Sequence, residues 1–185
     1  MITSFTGLNA FLSMSHPCMV RYDGHFYSSL LHAFYAARFL EPGHRALFRK
    51  PGLSAFKARE LSQLLNERRD FNKIKVDVVR ELVRSKFTHT KSLAAQLIAT
   101  GNERLIYGNV EHDNTWGDCQ CRSLNGTRDD DDGARCWSPG QNLYGWILME
   151  CRDELRDPML LPARPAHLPA PVAVQHFLSV GQRCA

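Results

Sequence analysis

Apolar residues recur every three to four positions through most of the chain and alternate at strand spacing only in short pieces, which predicts several helices and little sheet. Ser28 and Ser29 offer N-caps for a helix reaching Phe39, with Leu31, Phe34, Tyr35 and Arg38 at helical spacing. Pro42-Gly43 ends it, and a short second helix runs from Pro42 to Arg49 before Pro51-Gly52 interrupts. Ser54 begins a third helix to Leu65, with Phe56, Leu61 and Leu65 on its inner side and Lys57, Arg59 and Glu60 facing water. After the polar run Asn66 to Asp70, Asp70 is expected to cap a helix from Phe71 to Lys86, carrying Ile74, Val78, Leu82 and Val83 on one stripe. Ser92 to Thr100 forms another, closed by Gly101. The last runs from Leu143 to Arg156 behind Pro139-Gly140-Gln141-Asn142, with Leu143, Ile147, Leu148 and Cys151 as its buried side.

Strand signals are few. Alternation from Met19 to Tyr22, then Asp23-Gly24, then His25-Phe26-Tyr27 reads as a small hairpin. Leu105-Ile106-Tyr107 is a brief strand or extended piece. The fold expected is mainly α with a small β element, an α+β class, as one compact helical domain over residues 1–156. Beyond Asp157, prolines at 158, 162, 165, 169 and 171 forbid a long helix and favour an extended tail over 157–185. Asp129 to Asp132 repel one another, so the insert from Ser123 to Ser138 is expected to be a solvated excursion. Adjacent carboxylates lack the alternating ligand spacing of a calcium loop.

Charge changes this picture little. The net charge of +4 tolerates a phosphorylated ligand or nucleic acid without demanding either, because no basic tract is present. No run of about eighteen apolar residues suits a membrane span. Six cysteines without a recognisable export signal point to a reducing cytoplasm and free thiols. Cys119-x-Cys121 with Cys18, Cys136 and His112 invites a zinc reading, but that spacing lacks the usual two-residue gap. Neither a metal nor a cofactor is expected, and no P-loop or dinucleotide glycine fingerprint occurs.

The chemistry concentrates between Tyr107 and Cys121, where three carboxylates, a histidine, a tryptophan and two asparagines stand with almost no aliphatic residue. Such density in a loop on a rigid scaffold suits binding or catalysis as well as it suits a solvated turn with Trp116 tucked inward.

The order of these pieces resembles the NADAR family, whose bacterial members include riboflavin-biosynthesis intermediates N-glycosidase. The resemblance spans roughly Phe5 to Leu155. It rests on Phe11-Leu12-Ser13, Asp23-Gly24, Tyr27 leading into Ser29-Leu30-Leu31-His32-Ala33-Phe34, Lys75 and Lys86-Phe87. Ala99-Thr100-Gly101, Asp113 with Trp116-Gly117-Asp118, Gly140 to Gly145 and Leu148-Met149-Glu150 complete it. It implies a mostly helical fold that cleaves an N-glycosidic bond. The substrate would be a small phosphorylated nucleoside-like molecule such as a ribosylamino-pyrimidine phosphate, or ADP-ribose on guanine in nucleic acid. Four positions depart from the family pattern: Met14, Leu31, Phe71 and Tyr107. Leu31 stands where the family carries a helical glutamate taken as catalytic, so either another acid serves or the protein binds nucleotide or ADP-ribose without turnover.

Breaking a ribosyl C–N bond builds positive charge on the sugar and negative charge on the base, which calls for an anion at the sugar and a donor at the base. On the resemblance, Asp113 orients or deprotonates water and steadies the sugar cation, Trp116 stacks on the base, and Gly117 lets the backbone come close. Asp118 is either the second carboxylate or a structural cap. His32 either donates to a phosphate or leaving group, or is a core histidine bonded to a backbone carbonyl. Lys86 and Arg38 are candidates for a phosphate, or else surface charges. Asn142 reads a ribose or base edge, or caps its helix, and Ser13 hydrogen-bonds the ligand.

Overall fold

The structure is a computed structural model that describes residues 1–120 and 140–157. The tetra-aspartate insert, Cys121, Cys136 and the proline-rich tail lie outside those residues. Among the described residues, six α-helices carry the body: α1 Leu30–Ala37, α2 Pro42–Leu47, α3 Ala55–Gln63, α4 Phe71–His89, α5 Lys91–Ala99 and α6 Leu143–Arg156. A 3-10 turn, Gly7–Leu12, precedes the hairpin β1 Val20–Tyr22 and β2 His25–Tyr27, and two-residue strands β3 Gly108–Asn109 and β4 Asp118–Cys119 pair later. The observed class is the expected α+β.

The hairpin forms where Asp23 and Gly24 both take left-handed backbone angles, φ 46° and 77°, the twist a two-residue turn needs. It sets Val20 opposite Tyr27 and Tyr22 opposite His25. Helix α4 is the axis of the body, touching β1, α1, α5 and α6. It buries Val78, Val79, Leu82, Val83 and Phe87, and runs past the predicted end at Lys86 because nothing breaks it before Thr90. Between α4 and α6, Arg84 grips Glu154 at 2.7 Å and Arg80 meets Glu150 at 3.1 Å. Arginines of α6 also close the end of α5: Arg152 donates to Glu103 O at 2.8 Å and Arg156 to Gly101 O, where Gly101 turns left-handed at φ 61°.

Two expectations are corrected, on α3 and α4, and α1 adds a finding. Its helically spaced Leu31, Phe34, Tyr35 and Arg38 are not its inner side. That side is Leu30, Ala33, Ala36 and Ala37, and the larger residues stay half-buried. The cause is crowding, since α1 threads among α2, α3, α4 and the hairpin, and only alanines allow so close an approach. On α3, Phe56 is 69% exposed, whereas Ala58 and Ser62 face inward. Asp70 occupies the N-cap of α4, but its carboxylate binds Arg68 at 2.6 and 2.8 Å instead of the helix amides.

Leu105 makes an isolated parallel bridge with Ile2, with Ile106 N–H donating to Ile2 O at 2.8 Å. Strand β3 follows at once and pairs in parallel with β4, Gly108 against Asp118 and Asn109 against Cys119. The polar loop between them is thereby tied at its base into a closed ring.

Candidate functional site

The ring is built by its own side chains. Asn109 Oδ1 accepts from the amides of Glu111 and Asp113, both at 3.1 Å, while its Nδ2 donates to Asp113 O at 2.8 Å. Asp113 Oδ1 accepts from Thr115 N–H at 3.0 Å and Trp116 N–H at 2.9 Å, the bonding of a short helical cap. The carbonyls of Thr115, Trp116 and Gly117 then receive the amides of Leu143, Tyr144 and Asn142, so the ring's main chain caps α6.

This accounts for several sequence candidates. Asn142 neither caps α6 nor reads a ligand edge: it is buried, its Oδ1 accepts from Tyr107 N–H at 2.9 Å, and its Nδ2 donates to Leu105 O at 2.9 Å. Asp118 accepts from Gly140 N–H at 2.8 Å, which ties the ring to the segment leading into α6. The close approach at Gly117 is to the chain itself, because a Cβ there would lie 2.1 Å from Tyr107 O. His32 is the core histidine: Nδ1 meets Ser29 Oγ at 2.7 Å and Nε2 meets Leu53 O at 2.9 Å. A carbonyl only accepts, so Nε2 carries the proton and Nδ1 receives the serine hydroxyl. Neither nitrogen is left for a leaving group.

Trp116 does reach a shared surface. Its indole packs edge-on against Phe34, with centroids 5.8 Å apart, and Phe34 meets Phe71 at 5.4 Å and Tyr35 at 5.9 Å. The half-buried face of α1 thus forms a floor of Leu31, Phe34, Tyr35 and Arg38, with the ring along one side and α3 along the other. Leu31 N–H donates to Met14 O at 2.9 Å, which places the Ser13-Met14 turn at the head of that floor. Arg38, at its foot, is held by Glu67 at 2.5 Å and Ser62 at 3.0 Å.

Tyr35, Arg59 and Glu111 were not site candidates in the sequence, and Tyr107 entered only as a departure from the family pattern. Burial pushes the Tyr107 hydroxyl up, Glu111, Asp113 and Tyr35 add to the rise, and Arg59 opposes it. Burial likewise raises Tyr35, with Arg59 and Arg38 opposing and Glu111 adding. Both phenols therefore stand among the same charged groups. Arg59 on α3 meets Glu111 on the ring at 3.4 Å, spanning the floor between its two walls. The available signal was position: Tyr35 shares a face with Phe34, and Glu111 lies in the polar loop.

Lys86 is a correction. It is wholly buried and donates to Ser13 O at 2.7 Å, so it does not reach out of its helix to a phosphate. Burial lowers its pKa from 10.5 to about 8, with the nearby Cys18 opposing. Because the folded value is depressed, the cost of keeping it charged is fully present below pH 8 and is relieved as pH rises towards 10.5. Lys86→Met removes that cost, so its stability relative to the parent is expected to fall by about 2–3 kcal/mol between pH 7 and 10. Parallel urea titrations check this, and a constant difference would place the ammonium in water.

Cys119 Sγ lies 3.9 Å from His112 Nδ1, and the described residues contain no group of three or more potential metal ligands. No described helix is long and apolar enough to cross a membrane.

The chain belongs to the NADAR family: the family model described as NADAR domain matches residues 3–156. It is similar to the protein named N-glycosidase YbiA of Escherichia coli K12, 30% identical over 139 residues, 74% of this chain and 75% of the relative. It is also similar to the protein named riboflavin biosynthesis protein VVA0006 of Vibrio vulnificus, 32% identical over 155 residues, 80% of this chain but 36% of that longer protein. The NMR structure of E. coli YbiA superposes with a TM-score of 0.68 at 24% identity, covering 90% of this chain and 92% of the other. Fold and family agree with an N-glycosidase-like protein.

Proposed function

We propose that the chain hydrolyses the N-glycosidic bond of a ribosylated, phosphorylated base, lodged on the α1 floor beside Trp116. The observation that carries this reading is the orientation of Asp113. The main-chain amides of Thr115 and Trp116 fix one of its oxygens, which leaves the other to meet water or a developing sugar cation. A flat base on Trp116 would put its ribose near that carboxylate. The electrostatic demand of the reaction is then met by a group whose position is set before substrate arrives. A ribosylamino-pyrimidine phosphate fits through the riboflavin-pathway name of one relative, and ADP-ribose on guanine is the alternative guest.

A second reading, binding without turnover, is favoured by Leu31. It stands half-buried at the head of the floor beside Met14, where a leucine supplies neither charge nor proton. Incubating the protein with ribosylamino-pyrimidine phosphate and with ADP-ribosylated DNA, and measuring released ribose phosphate or restored guanine, separates the two. Hydrolysis of either supports the enzyme. Calorimetric binding of ADP-ribose with no product supports the binder. Leu31→Glu is expected to raise turnover at least tenfold if the floor accepts a carboxylate there, within the range a positioned acid or base contributes. An unchanged rate would assign the chemistry to the ring alone.

A further inference from the structure

Arg59 and Glu111 are the one ion pair, among the described residues, that links α3 to the β3–β4 ring. Its two side chains are 57% and 68% exposed and meet at 3.4 Å. Such a pair is weak, since water competes for both partners. Its location is the informative part. Arg59 stands on α3 and Glu111 on the ring, the two elements that flank the α1 face already described, so their contact bridges that face. Arg38, the floor's own cation, is committed to Glu67 and Ser62 and contributes little to an incoming anion.

We infer that Arg59 is the phosphate-recognising residue of this groove and that Glu111 is its stand-in partner, occupying the guanidinium until a phosphorylated ligand displaces it. This rests on reading the groove as the ribosylated-base site. A guanidinium donates in a planar fork that matches two phosphate oxygens, whereas Glu111 takes one donor in a single, long contact. Exchanging carboxylate for phosphate therefore improves the pairing and frees Glu111 on the ring side. The recognised class is a sugar carrying a terminal phosphate monoester or diphosphate.

The two members of the pair then have opposite effects, which a merely structural latch would not show. Calorimetry with ribose 5-phosphate and with ribose as probes, on the parent, Arg59→Gln and Glu111→Gln, reads this without turnover. The parent is expected to prefer ribose 5-phosphate. Arg59→Gln should weaken ribose 5-phosphate about tenfold and leave ribose unchanged, and Glu111→Gln should strengthen ribose 5-phosphate several-fold. Both side chains are exposed, and circular dichroism confirms folding of each variant. Equal weakening by both variants, no change in either, or no preference of the parent for the phosphorylated sugar would overturn the assignment. Hydrolysis of an unphosphorylated ribosylated base by the parent, alongside any of those results, would leave the glycosidase reading standing while the phosphate assignment falls.

Discussion

Asp113→Asn is expected to fold like the parent and to lose hydrolysis by a hundredfold or more, the range a positioned acid–base group supplies. The asparagine carbonyl can still accept the amides of Thr115 and Trp116, so the ring keeps its shape. What disappears is the negative charge that the proposed reaction requires beside the sugar. Asp113→Ala removes the cap as well, costing about 1 kcal/mol in stability on top of the lost rate. Turnover and thermal melting measured together separate the roles: an Asn variant as active as the parent would confine Asp113 to architecture.

Gly117→Ala is expected to be among the most damaging single methyl groups in the molecule's polar half. Its Cβ would fall 2.1 Å from Tyr107 O, a backbone atom that already accepts Asp118 N–H at 2.9 Å. Relief requires β3 and β4 to part, and the Gly117 carbonyl that caps Asn142 N–H moves with them. Overpacking of this kind costs about 3 kcal/mol. Gly101→Ala is the control. Its space is open and only its left-handed angle is penalised, by about 1 kcal/mol. Chemical denaturation should rank the two in that order, and equal stabilities would show that the ring yields more easily than its hydrogen bonds indicate.

The helices were legible because their signals are local. Ser54 caps α3 by accepting from Lys57 N–H, and Asp23-Gly24 turns the hairpin, as their residue types dictate. Which side of α1 faces inward was not legible, because four neighbouring elements press on it and the alanines win by size, not hydrophobicity. The ring's closure was equally hidden. A two-residue parallel pairing carries no propensity signal, and Asn109, Asp113 and Asn142 bond to main-chain atoms that no spacing rule marks out. For the same reason the polar residues of the loop divided unexpectedly. Asp118 braces the chain, as Asn142 does outside the loop, while Glu111 pairs with Arg59 of α3. Lys86 shows the limit most sharply: a long cation on a helix reads as a surface charge unless its burial is known.

The most direct test is a crystal structure of the Asp113→Asn protein with ADP-ribose bound. The account predicts the ligand on the α1 floor alongside Trp116, the ribose carbon that would carry the departing base within about 3.5 Å of a water on residue 113, and a phosphate on Arg59. A ligand lodged elsewhere, or one whose ribose is turned away from the ring, would contradict it.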